Sequence, residues 1–171
     1  MTDIDLRSVM GEFATGVTAV TLDSEPPHGI TVNAFTSVSL NPPLVLVCFD
    51  HDTDAHRKLA GGEAEHYCVN ILTAGQRILG EHFAGMTDDG LEPFEEHPTE
   101  TAATGAPVFS ESLGYVDCSV HEAVEAGDHT IYIGRVEAAG LRESDSDALT
   151  FYESDWGSIP DESATATGRE E

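Results

Sequence analysis

The segment GITVNAFTSVSLNPPLVLVCFD, residues 29–50, gives the clearest indication of the fold, because it predicts two β-strands joined by a turn at Asn41-Pro42-Pro43. Side chains alternate along a strand, so one face of the first strand is apolar and carries Ile30, Val32, Ala34, Val38 and Leu40. The other face carries only neutral groups, on Thr31, Asn33, Phe35, Ser37 and Ser39. Taken alone, such a face is typical of the solvent side of a sheet. Its lack of charge needs a further explanation in so charged a chain.

The chain of 171 residues is strongly acidic, with 32 Asp and Glu against 7 Lys and Arg and a formal net charge of -25. This balance argues against nucleic acid or an anionic membrane surface as a partner. The hydrophobic fraction of 40% is high enough for a folded core, so the acidic residues are expected on the surface of one domain. Their repulsion is screened at about 1 M salt, where the Debye length is about 3 Å. We therefore expect the salt-rich cytoplasm of a halophile.

The pattern along the chain is mainly β. Thr2 or Asp3 is expected to cap an N-terminal helix that ends before Gly16. Strands are expected at residues 16–22, 66–72, 114–126 and 129–141 in addition to the opening pair, and helices within 53–62 and 73–85. Gly127-Asp128 predicts a hairpin between the two long strands. Without βαβ alternation, the arrangement predicts a six-stranded antiparallel barrel with peripheral helices.

The expected domain covers residues 1–156, with a long surface excursion at 86–106 and an acidic flexible tail at 157–171. Cys48, Cys68 and Cys118 lie in separate apolar runs and are expected to be buried thiols rather than a disulfide framework. The N-terminus lacks the features of a signal peptide, and no run is long enough to span a membrane. The sequence therefore predicts a soluble cytoplasmic protein.

Common catalytic and nucleotide-binding motifs such as GxGxxG, GxxxxGK[ST], GxSxG and HExxH are absent. The segment DHDTDAH, residues 50–56, contains possible metal ligands, but a solvated loop is the simpler interpretation and no metal is expected. His129 opens a strand, where a structural or solvated role is ordinary, and Phe83 closes a helix, where a core anchor is ordinary.

Five segments together resemble the flavin reductase family with the FMN-binding split-barrel fold. They are FATGVTAVT (13–21), HGITVNAFTSVSLNPPLVLVCFD (28–50), CVNIL (68–72), GQRILGEHFAG (75–85) and GDHTIYIGRVEA (127–138). The likeness extends from about Met10 to Tyr152, with the segments in family order. It implies a homodimer of six-stranded split barrels with flavin near the subunit interface and NAD(P)H over the flavin ring. It also implies delivery of reduced flavin to a partner monooxygenase.

The resemblance gives the neutral strand face a purpose, since a flat flavin ring needs small side chains and neutral hydrogen-bonding groups. It implies flavin-binding roles for Thr31, Val32, Asn33, Ala34, Ser37, Val38, Ser39, Cys48, Asp50, Thr53, Arg57 and Phe83. The family uses the segment after Asp50 to bind the ribityl phosphate, but this chain has Asp52, Asp54 and Ala55 where hydroxyl residues and an arginine are usual. Thr53, the following helix N-terminus and Arg57 or Lys58 could compensate for that repulsion.

The implied reaction is hydride transfer from C4 of the nicotinamide to N5 of the flavin, and His129 is the residue implied to orient NAD(P)H or assist proton movement. The choice between NADH and NADPH stays open, as does that between FMN, FAD and riboflavin, and between a bound cofactor and a flavin substrate. One alternative is an FMN-binding carrier or redox sensor without reductase activity. Another is a metal-dependent enzyme that uses the loop at 50–56.

Charge screening leads to a first prediction. The melting temperature measured by circular dichroism should rise with KCl concentration, with loss of structure at low salt, because added salt screens the repulsion among surface carboxylates. A melting temperature that is flat or falling from dilute buffer to molar KCl contradicts it.

Overall fold

The computed structural model describes residues 5–88 and 90–159. The helices are α1 (Leu6–Gly11), α2 (Asp54–Ala60), α3 (Arg77–Phe83) and α4 (Pro93–Glu96), with a 3₁₀ turn at Ala74–Gln76 before α3. The strands are β1 (Thr15–Gly16), β2 (Thr18–Leu22), β3 (His28–Val32), β4 (Phe35–Leu40), β5 (Pro43–Asp50), β6 (His66–Ile71), β7 (Thr99–Thr101), β8 (Pro107–Phe109), β9 (Gly114–Ala126), β10 (His129–Leu141), β11 (Ala148–Tyr152) and β12 (Asp155–Ile159). The mainly β class is confirmed.

The main sheet has seven antiparallel strands in the order β3-β2-β6-β9-β10-β5-β4, so the expected count of six is wrong. The seventh strand arises because the run expected as one strand over residues 30–40 divides at Asn33-Ala34 into β3 and β4. These two strands lie at opposite edges of the sheet although only two residues separate them. Three Cα–Cα steps span at most about 11 Å, so the sheet must curl until its edges approach. The two edges form no ladder with each other, and the sheet stays open.

The division also changes which side chains share a face. Within the β4–β5 ladder, Ser37 lies opposite Val45 and Ser39 lies opposite Leu44, with a register shift between the two serines. Because directly opposed residues point to the same side, the bulge places the two serines on opposite faces. The expectation that they share one neutral face is therefore wrong.

The long hairpin agrees with the sequence. Strands β9 and β10 have the expected bounds, and Gly127 has a φ of 66°, the left-handed conformation that glycine adopts in such tight turns. From the turn onward, β10 also pairs with β5, which brings His129 opposite Asp50. The hairpin thus carries the predicted catalytic histidine to the side of the strand that follows the Pro-Pro turn.

Two large apolar clusters and a small third one, formed by Cys68, Ala106 and Val108, hold the described part of the fold together. The larger lies inside the curled sheet and contains Val20, Leu22, Val32, Val45, Val47, Phe49, Tyr67, Val69 and Tyr132, with Ala55 of α2 closing one end. The second large cluster contains Val17, Leu72, Leu79, Phe109 and Leu149 and packs β11 and Trp156 of β12 against α3. Residues 157–159 therefore belong to the fold, and the boundary expected after residue 156 falls inside β12.

The N-terminal helix, the cysteines and the helix lengths can be compared with their expected states. Asp5 caps α1 through its side chain, whereas Thr2 and Asp3 lie outside the described residues, as do residues 160–171. All three cysteines are free, with Cys68 and Cys118 buried and Cys48 half-buried. No helix in the described ranges is both long and apolar enough to cross a membrane.

Candidate functional site

Three cavities meet at the corner between β3 and β4, and Asn33 lines all of them. Their volumes are about 320, 180 and 350 Å³. The residues lining them are Met10, Phe13, Ala14, Thr15, Gly16, Val17, Thr18, Thr31, Asn33, Ala34, Phe35, Thr36, Leu46, Cys48, Ile71, Ala84, Met86, Phe151 and Trp156. None of them carries a charge. In a protein with a net charge of -25, an uncharged lining of this extent fits a flat, largely apolar ligand.

The floor of the third cavity comes from the outward face of β5. Val47 and Phe49 point into the core, so the intervening Leu46 and Cys48 point outward. The backbone N–H of Cys48 donates to the carbonyl oxygen of Ala34 at 3.2 Å, which joins the corner to the floor. Burial raises the pKa of the Cys48 thiol, so this group is neutral at physiological pH.

Thr31 reaches the site but its hydroxyl is already engaged. It donates to the carbonyl oxygen of Gly80 in α3 at 2.6 Å. Its neighbour Val32 is 6% exposed and belongs to the core cluster rather than to the cavity lining. Of these two sequence-predicted residues, Thr31 therefore orients α3 at the edge of the site, and Val32 supports the sheet from within.

Phe83 of α3 packs on β3 at Gly29, on the same face of the strand as Thr31. A Cβ atom at Gly29 would come within 2.5 Å of its ring, so the ring packs directly on the β3 backbone. The ring centroid lies 5.7 Å from that of Phe94 and 6.0 Å from that of Phe109. The structure thus places Phe83 in an aromatic cluster, the ordinary core role, and does not bring it to the cavities around Asn33.

The edge strand β4 carries the remaining neutral residues away from the cavities. Ser37 and Val38 are exposed and Ser39 is half-exposed. Val38 and the neighbouring Leu40 have exposed fractions of 48% and 94%. These residues form an open apolar and hydroxyl-bearing edge beside the site.

The segment expected to bind phosphate is largely bonded to itself. The Thr53 hydroxyl donates to the Asp50 carbonyl oxygen at 2.7 Å and accepts from the backbone N–H of His56 at 3.2 Å, capping α2. The Arg57 guanidinium forms an ion pair with the Asp54 carboxylate and donates to the Asp52 carbonyl oxygen at 2.6 Å. These groups stabilise the turn and the first turn of α2.

His129 lies at the end of the neutral floor. In β10 it shares the outward face with Ile131, which pairs with Cys48 of the floor. Its Nδ1 donates to the Asp128 carboxylate at 2.6 Å, and this hydrogen bond lowers the pKa of Asp128. With Nδ1 engaged, Nε2 is the ring atom left for a ligand.

The possible metal ligands of the segment at 50–56 do not form one cluster, because its two histidines bond to β10 instead. His51 bonds to the Thr130 hydroxyl at 3.0 Å, and Nδ1 of His56 lies 2.8 Å from the Tyr132 hydroxyl. Burial, and then the charge of His51, lower the pKa of His56. The potential ligand atoms of Asp50, Asp128 and His129 lie within 4.8 Å of one another. Sequence reasoning missed this cluster because a strand pairing brings distant residues together.

Sequence reasoning also missed the apolar walls of the site. Met10 and Phe13 are 54% and 67% exposed, and both line the cavity floored by Cys48. Phe151 and Trp156 line another cavity from β11 and β12. The exposed apolar side of α1 was the only local signal, since the approach of β12 depends on tertiary packing.

The open antiparallel sheet, with uncharged cavities at a chain corner, defines a small β-protein with a neutral candidate ligand site. The family model for the flavin reductase-like domain matches residues 10–160, and the chain belongs to that family.

Individual relatives agree with this assignment. The chain is 39% identical to an NADH-dependent FAD reductase of Streptomyces globisporus over 138 residues, 80% of this chain and 75% of the relative. It is 34% identical to the reductase subunit HsaB of a flavin-dependent monooxygenase of Mycobacterium tuberculosis, covering 93% of this chain and 83% of the relative. The structure of flavin reductase PheA2 superposes with a TM-score of 0.83 at 36% identity, covering 94% of this chain and all of that one.

The hydrogen bond from Thr31 to Gly80 leads to a second prediction. Thr31→Val should lower the free energy of unfolding by about 1 kcal/mol, because it leaves the Gly80 carbonyl without this donor. In a domain of this size that corresponds to a fall of about 2–4 °C in the melting temperature.

The matched control is Thr36→Val in the exposed part of β4, where the hydroxyl makes only a 3.4 Å contact and the change should stay within about 0.5 kcal/mol. Equal effects of the two substitutions in chemical denaturation would show that the Thr31 hydroxyl contributes nothing to docking α3.

Proposed function

We propose that the protein is an NAD(P)H-dependent flavin reductase that supplies reduced flavin to a partner monooxygenase. The observation that carries this proposal is the uncharged set of cavities around Asn33 in a strongly acidic chain. A flavin ring is apolar on both faces and polar along one edge, which suits small neutral side chains and a few fixed hydrogen-bonding groups. The names of the relatives, an FAD reductase and a monooxygenase reductase subunit, support the same activity.

The residues around the corner provide the flavin site in this proposal. Asn33 offers an amide and Ala34 leaves room for close approach, while Cys48 forms the floor. Thr31 lines a cavity from β3, and Val32 supports the site from the core. Ser37, Val38 and Ser39 on the β4 edge would contact only a part of the ligand that extends beyond the cavities, and Asp50, Thr53 and Arg57 lie where the floor ends. Phe83 acts indirectly, by packing on Gly29 and holding α3 against β3.

A bound flavin would accept one hydride, which carries two electrons, from NAD(P)H, and one proton from solvent would give the fully protonated reduced form. The protein has to bind the two ring systems face to face, orient them and exclude water. His129 suits the orienting role because its ring is anchored through Nδ1 to Asp128 at the end of the floor. Its Nε2 can then bind the nicotinamide or hold a proton beside the reduced flavin.

A homodimer would complete the site. Leu6, Val9 and Met10 of α1 and Phe13, which follows the helix, are more than half exposed, and Met10 and Phe13 line a cavity. A second copy of the chain seated against α1 and the β4 edge would bury this apolar surface. Sedimentation velocity in molar KCl should give twice the mass of one chain, and a single-chain mass would contradict this part of the proposal.

We place the enzyme in a halophilic cytoplasm, with FMN, FAD or riboflavin as the flavin. Its activity is tested by mixing the protein in high KCl with NADH or NADPH and each flavin, and by following the loss of nicotinamide absorbance at 340 nm. Flavin-dependent oxidation is expected. A yellow protein that oxidises neither nucleotide is instead an FMN carrier or sensor, and loss of activity on adding a chelator points to metal-dependent chemistry.

His129→Ala gives the residue-level test. Turnover should fall about a hundredfold, the lower end of the range for loss of a positioned acid-base group, because the nicotinamide loses its orienting partner. Flavin affinity measured by fluorescence quenching should change little. His121→Ala, on the exposed outer part of β9, is the matched control, and equal turnover of the two variants removes His129 from the site.

A further inference from the structure

The outward face of β5, which forms the neutral floor of the site, is followed by carboxylates at the end of the strand. Along β5 the outward side chains are Leu46, Cys48 and Asp50, and the first two line the cavity of about 350 Å³. Asp50 follows Cys48 by two strand residues, about 7 Å, a length similar to an extended five-carbon chain. Across the ladder Asp50 faces His129, and its carboxylate lies within 4.8 Å of ligand atoms of Asp128. A ligand tail that leaves the floor along β5 therefore meets negative charge.

The nearby cations are already neutralised. Arg57 is paired with the Asp54 carboxylate and bonded to the Asp52 carbonyl oxygen. Lys58 lies 3.2 Å from the Glu63 carboxylate. Both basic groups of α2 are thus engaged, while the exposed carboxylates of Asp52 and Asp54 flank Thr53. The turn after β5 offers more carboxylates than free positive groups.

We propose that this end of the site selects flavins by charge and that riboflavin, whose ribityl tail is uncharged, is the preferred flavin substrate. The inference rests on the proposed reductase function. A phosphate at the end of the tail would face Asp50, Asp52 and Asp54, whereas ribityl hydroxyls can donate hydrogen bonds to the same carboxylates. FMN and FAD therefore bind poorly at low ionic strength and improve as salt screens the repulsion.

The first test compares flavins across salt. The kcat/KM for riboflavin and for FMN is measured at saturating NADH from about 0.2 to 2 M KCl, a range in which the Debye length shrinks severalfold. The ratio of kcat/KM for FMN to kcat/KM for riboflavin is compared, because salt affects both values equally through folding and through the binding of NADH, which is itself an anion. The ratio should start below one and rise about tenfold.

The second test uses Asp54→Asn, which removes one carboxylate and releases the Arg57 guanidinium. It should raise the ratio of kcat/KM for FMN to kcat/KM for riboflavin about threefold to tenfold at low salt, because only FMN carries the phosphate that the carboxylate repels. Adding Arg57→Gln should cancel the gain. The control is Asp145→Asn, which makes the same change in net charge in the exposed loop after β10, at the opposite end of that strand from His129.

The outcomes separate the two proposals. If no flavin supports NADH or NADPH oxidation at any KCl concentration, the proposed function fails. If oxidation occurs but FMN is preferred at low salt, or if Asp54→Asn and Asp145→Asn have the same effect, selection by charge is overturned and the reductase function stands.

Discussion

The chain corner at Asn33-Ala34 is the constraint on which the rest of the structure depends. It joins β3 and β4, which occupy opposite edges of the seven-stranded sheet, so the sheet has to curl until the edges approach. The edges meet without pairing, and the gap between them is where three cavities share Asn33. If β3 and β4 formed a ladder, their backbone groups would bond to each other and the gap would be closed. We call this unpaired gap between β3 and β4 the open seam. It interrupts the hydrogen bonding around the curled sheet, and it is the candidate site.

Charge is distributed around that seam in a consistent way. The cavity lining is neutral, and the carboxylates lie mainly at exposed or half-exposed positions, although Asp117 is buried. On β5 the change from neutral to acidic side chains occurs between Cys48 and Asp50. An apolar ring bound at the seam avoids the cost of desolvating charged neighbours. The same acidic surface repels anionic ligands, so the protein's charge affects which molecules approach the site as well as how salt affects its stability.

Several groups that look available in the sequence are engaged by their neighbours in the fold. The Thr31 hydroxyl fixes α3, the Thr53 hydroxyl caps α2, and Arg57 pairs with Asp54. Phe83 packs on Gly29 within an aromatic cluster. Each of these contacts positions an element around the cavities. The residues that remain free to contact a ligand are those at the corner itself, on the β5 floor and on the exposed side of α1.

The β class, the hairpin at Gly127-Asp128, the bounds of β9 and β10 and the uncharged character of residues 31–39 could be predicted from the sequence alone, because they follow from local alternation and composition. The family could also be predicted from the sequence, through the resemblance of five segments. Only the tertiary structure decided that this stretch is two strands, that a bulge separates Ser37 from Ser39, and that Asp50 meets Asp128 and His129. The alternation of side chains continues through a corner that contains neither Gly nor Pro. Whether a segment forms one strand or two depends on the strands with which it pairs. Those partners can be distant in sequence, so a local pattern does not reveal them.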